Sequence, residues 1–197
     1  MGGNWVGHFE DLKSNLLSLM IRNHSGDEIE PDSAFARWTD HTLQIRAAQR
    51  SVFLIGNGAS ASMASHIAAD LAKNAQVRTE LFSDLSLITS IANDLSYLEV
   101  FAEPLRRRMT EADMLVAISS SGKSPNILRG VQEANRLGGI VVTLSAMDSS
   151  NALRSQGLLN FYVPAMSYGM AETCHAAILH YWLDLVVTST TARGDRG

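Results

Sequence analysis

From Ser51 onward, short unbroken apolar runs alternate with helical patterns, and this alternation constrains the fold more than any other feature. Ser51-Val-Phe-Leu-Ile, Met114-Leu-Val-Ala-Ile and Ile140-Val-Val-Thr-Leu read as buried strands. A strand covered on both faces has no polar side to alternate with. Arg78-Thr-Glu-Leu-Phe and Asn160-Phe-Tyr-Val read as two further strands. Helices are expected over about 60–74, 84–109 with a break near Asn93-Asp94, 125–137, 149–155 and 170–188. Gly138-Gly139 gives a stop signal before the Ile140 run. Strands alternating with helices predict an α/β fold with a parallel sheet covered on both faces.

The first fifty residues differ. Phe9, Leu12, Leu16, Leu17 and Met20 recur at helical spacing, and the polar stretch Asn23–Glu28 breaks the pattern. Pro31 opens a second expected helix running to about Arg50, capped by Asp32 or Ser33. Phe35, Trp38 and Ile45 form its apolar side, with Leu43 near the edge. No strand is expected here. The chain therefore divides into a helical extension over 1–50, an α/β domain over 51–190 and a polar tail over 191–197. The extension is expected to pack on the domain or on a neighbouring subunit.

Composition narrows the function classes. Sixteen basic and twenty acidic residues give a formal charge of −4, which argues against a general electrostatic nucleic-acid binder. Arg106-Arg107-Arg108 lies among acids and reads as a solvated helix face or subunit contact. No apolar run is long enough to span a membrane, and no basic segment followed by an apolar core opens the chain. The single cysteine, Cys174, has no intrachain partner and reads as structural. These features point to a cytoplasmic protein.

Ligands of open parallel sheets bind at the carboxyl ends of the strands. Two small-residue loops fall there. Gly56-Asn57-Gly58-Ala59-Ser60 permits a tight turn into a helix whose free N–H groups suit an anion, although it is not a dinucleotide fingerprint. Ser119-Ser120-Ser121-Gly122-Lys123-Ser124 offers hydroxyls and backbone donors to phosphate oxygens. It lacks the spacing of a nucleoside-triphosphate loop.

Together, Gly56-Asn-Gly-Ala-Ser, Ile91-Ala-Asn-Asp94 and Ile118-Ser-Ser-Ser-Gly-Lys-Ser124 resemble sugar isomerase (SIS) domains. Within them the chain is most similar to the sedoheptulose 7-phosphate isomerases, over about residues 50–188. The resemblance implies a five-stranded parallel sheet, a homotetramer with active sites shared between subunits, and zinc in many members. It implies conversion of sedoheptulose 7-phosphate to D-glycero-heptose 7-phosphate for surface polysaccharide synthesis. It also implies that Ser119, Ser120, Ser121 and Ser124 hold phosphate, while Asn57, Gly58, Ala59, Asn93 and Asp94 contact substrate.

Ketose–aldose isomerisation needs a base to move a proton between neighbouring carbons and an acid or metal at oxygen. His66 and Asp70 share a helix face at i, i+4, and Glu172 and His175 share one at i, i+3. His180 lies eight residues past Glu172, about 12 Å along an ideal helix, so one ion can meet both only in special arrangements. His175 reads as structural. The resemblance assigns Asp70, Glu172 and His180 to catalysis, Glu172 also to substrate contact, and His66, Asp70, Glu172 and His180 to a zinc site. Four positions depart from the family pattern: Ala59 stands for Gly, Asp70 for Glu, Asn74 for Arg and Glu172 for Gln. The base is then Asp70 or Glu172, Lys123 is an available cation, and another sugar phosphate or a regulatory phosphosugar-binding role stays open.

Overall fold

A computed structural model describes residues 3–194. The chain opens with helix α1 (Trp5–Leu17), two short strands, β1 (Met20–Arg22) and β2 (Glu28–Ile29), and helix α2 (Pro31–Ala47). The alternating part follows: β3 (Ser51–Gly56), α3 (Ala59–Ala75), β4 (Arg78–Glu80), α4 (Leu85–Asp94), α5 (Ala102–Arg108), β5 (Met114–Ser119) and α6 (Pro125–Arg136). β6 (Ile140–Ala146), β7 (Leu159–Val163) and the long α7 (Tyr168–Gly194) complete it. Short 3-10 turns occupy Tyr97–Glu99 and Ala152–Ser155.

The sheet has seven strands, not five, in the order β2-β1-β7-β6-β5-β3-β4. The five expected strands, β3 to β7, form its parallel part. The added pair comes from the segment in which no strand was expected. β1 runs antiparallel to β7, with Ile21 opposite Phe161, and β2 runs antiparallel to β1. Ile21 is buried. Three- and two-residue strands carry no readable period, so Met20 fitted the helical pattern although it pairs with Tyr162.

Adjacent strand residues point to opposite faces. Val52 and Leu54 enter one core with Phe35, Trp38, Ile67, Phe161 and Trp182. Phe53 and Ile55 enter a second core with Phe101, Leu105, Ile127 and Val131. The sheet is thus covered on both sides, by α2, α3 and α7 and by α4, α5 and α6.

The cap of α2 is Glu30, not Asp32 or Ser33: its Oε2 accepts from Ser33 N–H at 3.1 Å, and Pro31 follows inside the helix. Phe35, Trp38, Leu43 and Ile45 are all buried, so α2 belongs to the core. The helix expected to end near 188 continues through Gly194, into the expected polar tail; residues 195–197 lie outside the described residues.

α2 is joined to α7 through Trp38 and Trp182, whose rings stack with centroids 4.1 Å apart. Trp182 Nε1 donates to Thr42 Oγ1 at 3.1 Å, and Thr42 Oγ1 donates to the Trp38 carbonyl at 2.8 Å. Trp38→Ala removes a fully buried ring from this junction. It should cost about 3–5 kcal/mol of stability, measured by urea unfolding.

Candidate active site

Among the parallel strands, β4 lies beyond β3 on one side while β5, β6 and β7 follow on the other. The direction of winding therefore reverses between β3 and β5. In such sheets the crevice outside the carboxyl ends of those two strands is the ligand site. The loop after β3 and the serine loop after β5 flank that crevice.

The β3 loop is shaped by two glycines. A Cβ on Gly56 would lie 2.6 Å from the Ser60 carbonyl carbon, so only glycine lets the start of α3 approach so closely. Gly58 has φ +56° and makes the turn into α3. In the serine loop, Gly122 has φ +60° and Ser124 is the N-cap of α6. Ser119 Oγ lies 3.3 Å from Ser124 Oγ, and Lys123 N–H donates to Ser121 Oγ at 3.3 Å.

Both loops open on a cleft of about 280 Å³. Asn57, Gly58, Ala59, Ser119, Ser120, Ser121 and Ser124 line it. The Ser120 Oγ is buried without a partner. Tyr168 and Glu172, from the start of α7, complete the cleft, and Glu172 is the only ionisable acid or base in the lining besides the Tyr168 phenol.

Asn126, absent from the expected set, links the two loops. Its Nδ2 donates to Asn57 Oδ1, and Asn57 Nδ2 donates back to Asn126 Oδ1, each at 3.0 Å. Ile127 N–H also donates to Asn126 Oδ1 at 3.1 Å, which fixes the orientation of both amides. The only sequence signal was a polar residue two places after Ser124, on a helix face that proves buried.

A second, largely apolar cavity of about 270 Å³ shares Asn57 and Gly58 with the cleft. Phe82, Ile88, Val100 and Phe101 line it, and Tyr97 Oη donates to Asn57 Oδ1 at 3.4 Å. Its wall is drawn from separate segments, so no local pattern announced it.

Other expected residues lie elsewhere. Asn93 and Asp94 end α4, are exposed and bond to one another, with Asn93 Nδ2 donating to Asp94 Oδ1 at 2.8 Å. They do not line the cleft of their own chain. Lys123 is not a free cation for the cleft: its Nζ pairs with Asp148 Oδ2 at 2.6 Å. Asn74 and Lys73 are exposed near the end of α3, outside the cleft lining.

α3 and α7 lie side by side, and their seam carries the proton-transfer candidates. His66 Nε2 is 3.5 Å from Asp70 Oδ2, and the rings of His66 and His180 are 5.3 Å apart. Both histidines are exposed. Zinc needs three or four donors converging on one point. Among the described residues, no three His, Cys, Asp or Glu side chains are arranged to hold an ion. One chain alone therefore does not assemble the site that the resemblance implied for His66, Asp70, Glu172 and His180.

His175 is fully buried, and its Nε2 lies 3.2 Å from the Ser145 carbonyl oxygen. Burial pushes its pKa down to about 4, so at neutral pH the imidazole is uncharged and donates to that oxygen. Cys174 is also buried, which raises its thiol to about 11 and leaves it unreactive. Between about pH 6.5 and 4, the unfolded chain binds a proton at His175 that the folded chain refuses. Stability should therefore fall as pH drops through that window, by roughly 3 kcal/mol from this group. Urea unfolding of wild type and His175→Gln across the window checks this, with the variant expected to lose that part of the pH dependence.

Comparisons with known proteins agree with this geometry. A family model described as SIS domain matches residues 28–146. A phosphoheptose isomerase of Halorhodospira halophila is 30% identical over 177 residues, covering 86% of this chain and 88% of that one. One from Colwellia psychrerythraea is 32% identical over 148 residues, covering 71% and 76%. The solved phosphoheptose isomerase of Neisseria gonorrhoeae superposes with a TM-score of 0.78 at 23% identity, covering 93% of this chain and 96% of that one. With a donor-rich cleft at the switch point and these relatives over most of its length, the chain belongs to the SIS-domain family and, within it, to the phosphoheptose isomerases.

Proposed function

We propose that the protein interconverts sedoheptulose 7-phosphate and D-glycero-heptose 7-phosphate, supplying heptose for surface polysaccharides in the cytoplasm. One observation carries the reading: Glu172 lines the same cleft as Ser119, Ser121 and Ser124. A carboxylate and a phosphate-binding wall thus face one small space. No helix among the described residues is long and apolar enough to cross a membrane.

In this reading the serine loop holds the phosphate, and Asn57, oriented by Asn126, meets the sugar chain. Glu172 removes the C1 proton of the open-chain ketose. The electron pair forms the C1–C2 double bond of an enediol while the C2 carbonyl oxygen takes a proton. Return of a proton to C2 and loss of the C1 hydroxyl proton give the aldose. His180 is assigned the transfers at oxygen. No step here passes through a metal.

The proposal includes assembly into a homotetramer. Glu172 sits in the cleft, whereas the exposed His66 and His180 and the half-buried Asp70 lie further along the α3–α7 seam. A second copy would bring such a seam to each cleft. The exposed Trp5, Val6, Phe9 and Leu17 of α1 offer apolar surface for the contact.

Turnover of sedoheptulose 7-phosphate, followed by NMR of the aldose product, is the direct test. No product from folded protein would overturn the reading in favour of another sugar phosphate or a regulatory role. The assay is run on chelator-treated and zinc-supplied protein; a zinc requirement would place the ion between chains. With Glu172 as base, Glu172→Gln should lower kcat by about 10²–10⁴-fold. A Glu172→Gln enzyme of normal kcat, with Asp70→Asn inactive, would move the base to Asp70. His180→Ala should also lower kcat in a protein that remains folded.

A further inference from the structure

The serine loop is supported from beneath by the segment that follows β6. Asn151 lies there and is 3% exposed. Its Nδ2 donates to the Asp148 carbonyl at 2.7 Å, to the Ala146 carbonyl at 3.3 Å and to Ser145 Oγ at 3.3 Å. Carbonyl oxygens accept only from the amide nitrogen, so the side chain can stand only one way round. Its Oδ1 is consequently turned to Gly122, buried and without a donor. A Cβ placed on Gly122 would lie 1.9 Å from that oxygen. The amide therefore fills the space against the Gly122 backbone, where φ is +60°.

Three further ties join the same two segments. Leu153 N–H donates to the Gly122 carbonyl at 3.2 Å, Ala146 N–H donates to the Ser120 carbonyl at 2.9 Å, and Lys123 pairs with Asp148. The Ser145 backbone is in turn bonded to His175 of α7. Asn151 does not itself line the cleft. A buried acceptor with no donor is unfavourable, so filling this position with an amide calls for an explanation beyond packing.

We infer that Asn151 is a positioning residue for phosphate binding. Its amide nitrogen anchors to the end of β6, and its oxygen wedges Gly122 into the turn that directs Ser119, Ser121 and Ser124 at the cleft. The inference rests on the reading that the serine loop is the phosphate site. It acts on the phosphate end of the substrate, away from the carbons that exchange a proton, so it governs binding more than turnover.

The test uses the full-length assembled protein, with inorganic phosphate as a calorimetric probe and sedoheptulose 7-phosphate in steady-state kinetics. Asn151→Ala should weaken phosphate binding and raise KM by about tenfold, the scale of one charge-assisted hydrogen bond, with kcat changed little. Asn151→Ser, which removes less buried volume, should show the same split and serves if the alanine variant does not fold. Unchanged phosphate affinity and KM in a folded variant, with only the melting temperature lowered, would overturn the assignment and leave Asn151 as filler. Ser121→Ala separates this from failure of the underlying reading. Phosphate binding lost in Ser121→Ala but intact in Asn151→Ala defeats the Asn151 role alone, while phosphate affinity indifferent to Ser121→Ala defeats both.

Discussion

The pairing of β3 with β5 is the constraint on which the rest of the molecule depends. These strands are adjacent in space, with Gly56 level with Ile118, but are separated in sequence by α3, β4, α4 and α5. Parallel strands need such crossovers, and a right-handed crossover on each side sends the following helices to opposite faces. The carboxyl ends of β3 and β5 are left uncovered between diverging loops. Everything that binds here is built across that gap. The reciprocal amides of Asn57 and Asn126 tie the loops together, and Gly56, Gly58 and Gly122 let the backbone take the turns required.

The second feature is a division of labour along α7. Its first turns bring Tyr168 and Glu172 to the cleft, while His180 lies two turns further on, beside His66 of α3. Packing decides which positions are free for chemistry. Ala171, Cys174, His175, Ile178, Leu179 and Trp182 are buried against the sheet and α2. Between them, the half-buried Glu172 and the exposed His180 carry the groups left free for chemistry. The same helix thus seals the core and, in the proposed tetramer, serves two neighbouring sites.

Much of this was legible in the residues. Continuous apolar runs mark strands buried on both faces, and every such run became a parallel strand. The serine loop was legible because small hydroxylated residues between a buried strand and a helix have few other uses. What stayed hidden depended on contacts distant in sequence. β1 and β2 are too short to carry a period, and Ile21 is fixed only by lying opposite Phe161. Lys123 looked available until Asp148, twenty-five residues on, was found to hold it. The positions of Asn126 and Asn151 beneath the loops have no local signal, because a buried asparagine and an exposed one look alike in a sequence. Spacing did set Glu172 and His180 about 12 Å apart along an ideal helix; what it left open was whether Glu172 lies within that helix, and α7 begins at Tyr168.

The proposed account joins a cleft on one chain, with its serine loop and Glu172, to His180 on another, and subunit complementation tests that claim most directly. Ser121→Ala disables the cleft and His180→Ala disables the seam, so each homo-oligomer alone is inactive or nearly so. Unfolding the two variants together and refolding them as mixed oligomers should restore turnover, because some sites would combine an intact cleft with an intact seam. Mixed oligomers that form, as shown by mass spectrometry, yet recover no activity beyond that of the separate variants would contradict the account and place the complete site within a single chain.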